Sequence, residues 1–169
     1  MRVACLACSV FLAACDGESS LPIQVAAACP FGDTRLQIEA GHYLLDPVTT
    51  TPEWRNVSPE QVCQGVVSSW LQPYRDEYEA RFGHVVLSER VVRLRKESDL
   101  RNTGLQADDA IGGHTYSDAI DLGAGSSDSL PHELNHVRTG SGHEGWCNDF
   151  EPWSEQVLGI NQRVYLGCH

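Results

Sequence analysis

The sequence predicts an α+β domain, and three patterns carry that reading. Val62, Val66, Trp70, Tyr74 and Tyr78 recur every fourth residue, the period of one helix face. "TRLQIEAGHYLL" and "HVVLSERVVRLR" alternate apolar and polar residues, the period of strands. A second helical stripe, Leu130, Leu134 and Val137, follows the strands, and its other face is rich in histidine. The expected architecture is a helix with a short antiparallel or mixed sheet, then the histidine helix and a C-terminal helix.

In chain order, Met1-Arg2 and "VACLACSVFLAA" form a positive start and an apolar run well below the roughly 20 residues that span a bilayer. That is the pattern of a secretory signal. The run closes on Leu12-Ala13-Ala14-Cys15, which resembles the bacterial lipobox, where small residues admit the signal peptidase and the next residue is a lipidated cysteine. The resemblance implies removal of residues 1–14 and lipidation at Cys15. It implies a lipid-anchored protein of the bacterial cell envelope, periplasmic or on the outer surface. Residues 15–33 then read as a polar, small-residue tether, and residues 34–169 as one domain acting as a monomer.

Within the domain, "TRLQIEAGHYLL" suits a strand or short hairpin around an Ala-Gly turn. Ser58-Pro59-Glu60-Gln61 opens a helix with an N-cap, a proline in the first turn and a capping-box partner. Pro73 is expected to kink or interrupt that helix, and Gly83 to stop it. "HVVLSERVVRLR" is the next strand. A polar stretch, "KESDLRNTGLQADD", leads to "AIGGHTYSDAIDLG", whose Ile111, Tyr116, Ile120 and Leu122 indicate one or two more strands with glycine at a bend. "NDFEPWSEQVLGINQ" begins with cap-like Asn148 and Asp149 and reads as the last helix.

The chain carries 23 acidic against 12 basic residues, and loss of the signal removes Arg2, moving the net charge from −11 to −12. Such a chain repels phosphate backbones, which excludes nucleic acid as a partner. Signal removal also deletes Cys5 and Cys8, and lipidation occupies Cys15. Cys29, Cys63, Cys147 and Cys168 remain, an even set for an oxidising compartment. Of three connectivities, Cys29–Cys63 with Cys147–Cys168 is favoured because each bridge joins one half of the chain to itself.

The chemistry is concentrated in "SLPHELNHVRTGSGHEGW", residues 129–146, which hold three of the chain's seven histidines. His132 and His136 stand four apart, so on a helix both imidazoles project from one face, near enough to share a cation. The apolar stripe lies opposite, so burying the helix does not compete with presenting the ligands. Glu133 lies beside the pair, where a carboxylate can take a proton from water. A polar, solvated helix is the competing reading of the same residues.

"HELNH" resembles the zincin metallopeptidases, and the match covers about residues 111–155. The resemblance implies a small zincin-like catalytic core with Zn2+ held by His132 and His136, Glu133 as general base, and "GGHTYSDAIDLG" as the edge strand of the substrate cleft. Metzincins place a glycine three and a histidine six residues after the second motif histidine. Here Thr139 and Gly142 stand there, with Gly140 and His143 one place late. A Met-turn is impossible, since Met1 is the only methionine. His143 is the favoured third ligand, because Gly140 and Gly142 can end the helix and reverse the chain. Glu155 or Glu151 is the alternative, by likeness to gluzincins, although their Asn-Glu-x-x-x-Glu pattern is not reproduced.

Three protein ligands leave zinc a position for water, whose pKa falls to about 7. Glu133 would accept its proton during attack on a peptide or protein substrate. An oxyanion partner is expected; His114, Tyr116 and Trp146 lie nearby in the sequence, a structural role is the competing reading of each, and none is assigned. The alternative function is a non-catalytic envelope lipoprotein, a binding module with a structural metal or none. A closed set of four ligands would favour it. A carbohydrate hydrolase with paired carboxylates is a third class, but no pair stands out.

Overall fold

A computed structural model describes residues 24–40, 58–95, 100, 112–140 and 142–168. The expected signal segment, residues 15–23 of the tether with Cys15, Tyr43 and Leu45, the polar stretch at 96–99 and 101–109, and Ile111 lie outside the described residues.

Five strands make one mixed sheet: β1 (Val25–Phe31), β2 (Thr34–Glu39), β3 (Val91–Arg95), β4 (Gly113–Thr115) and β5 (Ala119–Gly123), in the order β1-β2-β3-β5-β4. The central strands β2, β3 and β5 run parallel, and an antiparallel strand flanks them on each edge. Alternation sets the faces. Leu36, Val92 and Ile120 align across the sheet, as do Ile38, Leu94 and Leu122, and all six are fully buried. The opposite face carries the row Gln37, Arg93, Asp121 and His114. Asp121 is buried there between the guanidinium of Arg93 and that of Arg95, the latter at 2.9 Å.

Residues 25–31, read from sequence as tether, form β1, so the sheet begins before the expected domain start at Thr34. Ala27, Cys29 and Phe31 are its buried residues. Small alanines do not raise a strand signal, and the Cys29–Cys63 bridge to the first helix supplies an anchor that periodicity cannot show.

That helix, α1 (Pro59–Gly65), opens with the expected reciprocal cap: the Gln61 amide donates to Ser58 Oγ at 3.3 Å and the Ser58 amide to Gln61 Oε1 at 2.9 Å. It runs through a π-helical segment, Val66–Leu71, into α2 (Gln72–Phe82). The expected kink or interruption at Pro73 takes the form of a change of helical type: the wide π-helical turns end just before the proline, make room for its ring and absorb its missing N–H, and the chain stays helical beyond it. Val62, Val66, Trp70 and Tyr78 bury the predicted stripe, and the helix ends at Gly83. The remaining elements are α3 (Leu130–Thr139), α4 (Phe150–Trp153), a π-helical segment Ser154–Leu158, short 3-10 turns at Ser127–Ser129 and Trp146–Asn148, and α5 (Arg163–Leu166), which no sequence signal indicated. The second disulfide is Cys147–Cys168. No helix among the described residues is long and apolar enough to cross a membrane.

Candidate metal centre

α3 carries the histidine motif and is anchored from behind. Leu130 and Leu134 are fully buried in the core, while Val137 is half-buried and reaches the cleft wall. Asn135, also fully buried, accepts from Tyr78 Oη at 2.8 Å and from Arg138 Nε at 2.9 Å, locking α3 to α2. Leu130 and Leu134 thus face the core as expected, Val137 instead borders the cleft beside the histidines, and the asparagine of "HELNH" fixes the rotation of the helix about its axis.

Gly140 ends α3 with φ +86°, and Gly142 at φ +99° continues the reversal that returns His143 to the helix. His132 Nε2 and His136 Nε2 lie 3.1 Å apart, and His143 Nε2 lies 3.3 Å from His136 Nε2. One ligand atom from each of the three falls within 4.8 Å of the others, so the group can hold a metal ion. Burial first, and for His132 and His136 the neighbouring imidazoles, push those two rings down to about 4, while burial lowers His143. All three are therefore neutral at neutral pH, the form that offers a lone pair. His132 Nδ1 meets Gln162 Oε1 at 2.7 Å; an amide oxygen accepts, which leaves the His132 proton on Nδ1 and Nε2 bare.

Trp146 forms the floor. Its ring centroid lies 5.0, 4.7 and 4.8 Å from those of His132, His136 and His143, and its Nε1 donates to Thr139 Oγ1 at 3.2 Å. Buried beneath the rings, it is a platform, whereas His114 and Tyr116 line the cleft with their rings 4.4 Å apart.

Glu133 faces β4, which is the edge strand; β5, the second half of the expected edge segment, is interior and buried along its length. Thr115 Oγ1 donates to Glu133 Oε2 at 2.7 Å. Burial pushes the Glu133 carboxyl up to about 7, with the charge of Asp121 adding to it and the Thr115 bond opposing. A Cβ on Gly113 would sit 2.9 Å from Glu133 Oε1, so glycine is required where the edge strand passes the carboxylate. The cleft over these groups has a volume of about 610 Å³.

The two alternative ligands do not join the group. Glu155 is exposed and accepts from Asn161 Nδ2 at 3.0 Å. Glu151 is fully buried and faces Arg163 at 3.8 Å. Thr115, Gln162 and the role of Trp146 were not readable beforehand. Thr115 had a signal, a hydroxyl on the strand preceding the motif helix. Gln162 had none, because it meets His132 from 30 residues away. Comparison with known proteins returns nothing for this arrangement: no family model, no curated protein and no solved structure matches the chain.

Proposed function

We propose that the chain is a zinc-dependent peptide hydrolase of the cell envelope. The observation that carries this reading is the convergence of three imidazole nitrogens within 4.8 Å beside a buried carboxylate in an open cleft. Three neutral imidazoles suit zinc, and a set of three leaves the metal an open position, as catalytic sites do. Glu155 and Glu151 stand apart from the group, which supports catalysis over a closed structural site.

When bound, zinc supplies Lewis acidity towards a carbonyl and towards water. The other steps belong to the chain. Glu133 Oε1, the carboxylate oxygen that Thr115 leaves free, takes the proton of a water attacking the carbonyl carbon. A C–O bond forms, the C–N bond breaks, and Glu133 passes the proton to the leaving amine. A carboxyl whose surroundings raise it to about 7 can hold that proton between the two steps. Thr115 fixes the orientation of the carboxylate, and Gln162 that of His132.

Zinc analysis of the purified domain beside Glu133→Gln tests the proposal. The variant should keep its zinc and lose peptide hydrolysis by about 10²–10⁴-fold; wild-type protein that binds no zinc overturns it. Export and the lipid at Cys15 belong to the same proposal, and Cys15→Ser should move the protein from the membrane fraction to the soluble one.

A further inference from the structure

Eight arginines fall among the described residues, and Arg75, Arg93, Arg95, Arg138 and Arg163 each meet a carboxylate. Arg81 lies over the Phe82 ring. The other two, Arg35 and Arg90, meet no carboxylate among the described residues, although the chain holds 23 acids against 12 bases. They line the same groove, of about 450 Å³, with Asp33, Thr34, Ser88 and Val91. Strand pairing causes this: Arg35 on β2 stands opposite Val91 on β3, and Arg90 comes just before it. Asp33, the carboxylate of the groove, is engaged by Arg75 at 2.6 Å and by the Leu87 amide at 2.8 Å.

Arg90 also lines the cleft that holds Glu133 and the histidines, so groove and cleft share it as a wall. Its Nε donates to the Tyr116 carbonyl at 3.3 Å, and its own carbonyl accepts the Thr34 hydroxyl. Its terminal nitrogens have no partner among the described residues. Such a held guanidinium presents a planar fork that matches a carboxylate. We propose that Arg90, with Arg35 behind it, binds a carboxylate of the peptide in the cleft, so that the site selects acidic residues or free C-termini. The peptide occupant rests on the hydrolase reading above; the anion site does not. Tyr116 directly follows Thr115, which touches Glu133, and a strand advances about 3.3 Å per residue, so the carboxylate belongs about one to three residues from the bond attacked.

The test is peptide binding by calorimetry to the Glu133→Gln protein, which does not consume its ligand, with zinc measured in each sample. Capped alanine hexapeptides carry one glutamate at each position in turn, each matched to a glutamine peptide. A second pair compares a free C-terminus with an amide. The acid should bind about tenfold more tightly than its match, falling to within about twofold in Arg90→Gln. Preference in the glutamate set assigns a side chain, and preference in the second pair a C-terminus. No preference, or one that survives Arg90→Gln, overturns the proposal. If Arg90→Gln loses the wild-type circular dichroism spectrum, Arg35→Gln carries the test, because that side chain is exposed and makes no hydrogen bond or ion pair among the described residues. A preference cut by about threefold supports the proposal, and an unchanged one overturns it. A carboxylate preference without zinc or hydrolysis leaves the anion groove standing and removes the hydrolase. Zinc and hydrolysis without the preference do the reverse.

Discussion

Two of the polar clusters among the described residues, one around Arg75 and one around the three histidines, are built in contrasting ways. Arg75 on α2 donates to Asp33 at 2.6 Å, Glu79 at 2.8 Å and the Phe31 carbonyl at 3.3 Å. Its charge is answered within the fold, and the β1–β2 turn is fixed to α2. At the other cluster, His132 Nε2 and His136 Nε2 stand 3.1 Å apart and His143 Nε2 stands 3.3 Å from His136 Nε2, so three neutral imidazoles converge on one point. Facing lone pairs repel unless a cation or a proton lies between them. The first cluster is closed by ion pairs within the fold; the second gathers three neutral donors that could hold an ion, and under the proposed function an ion completes it.

Substitutions should separate the two. The largest effect is expected for His136→Ala, which removes the nitrogen nearest both others: zinc affinity, read against a chromophoric chelator, should fall by more than about 100-fold, beyond what an outer partner contributes. Wild-type affinity in that variant would break the comparison. Arg75→Met leaves Asp33 and Glu79 facing an apolar stem, and urea unfolding should show a loss of about 3 kcal/mol. Its zinc affinity should stay within about twofold, since distant sites act independently. Gln162→Leu releases the His132 ring from behind, weakening zinc about tenfold while stability in chelator barely moves.

The smallest effect is on acid stability. Burial works to raise the Asp33 carboxyl, but bonds from Arg75 and the Leu87 amide outweigh it and hold the group at about 2. Arg75 and His84 meet it directly, Glu79 lies behind them, and Arg35 and Arg90 share its groove. A carboxyl lowered on folding stabilises at pH above its ordinary value of 3.8 and loses that contribution as pH falls toward 2. The gap in unfolding midpoint between wild type and Asp33→Asn should therefore close between pH 4 and pH 2. A gap of constant size would mean that the charge contributes nothing.

Sequence made some of this legible because the forces concerned are local. The Ser58 cap, the stripe of α1 and α2, the alternation of β3 and β5 and the spacing of His132 and His136 all act within a turn or a strand. β1 escaped because alanine carries little signal, and Pro73 marked an irregularity in the helix without showing that it would be a π-helical segment. Within the candidate site, the reversal at Gly140 and Gly142 pointed to His143. Thr115, Gln162 and Trp146 reach the site through tertiary packing, and Arg90 borders it only because β3 lies where it does. None of those placements follows from spacing along the chain.

Cys147–Cys168 closes a loop that contains Gln162 and starts one residue after Trp146, so the bridge ties down one group that steadies the histidines and adjoins the other. Under the proposed function, occupancy of the centre and oxidation of the thiols would be linked. Whatever factor separates metal affinity in the oxidised and reduced chains must also separate the ease of reduction with and without the ion. Chelation should make that cystine easier to open by the same ratio that a reductant loosens the ion.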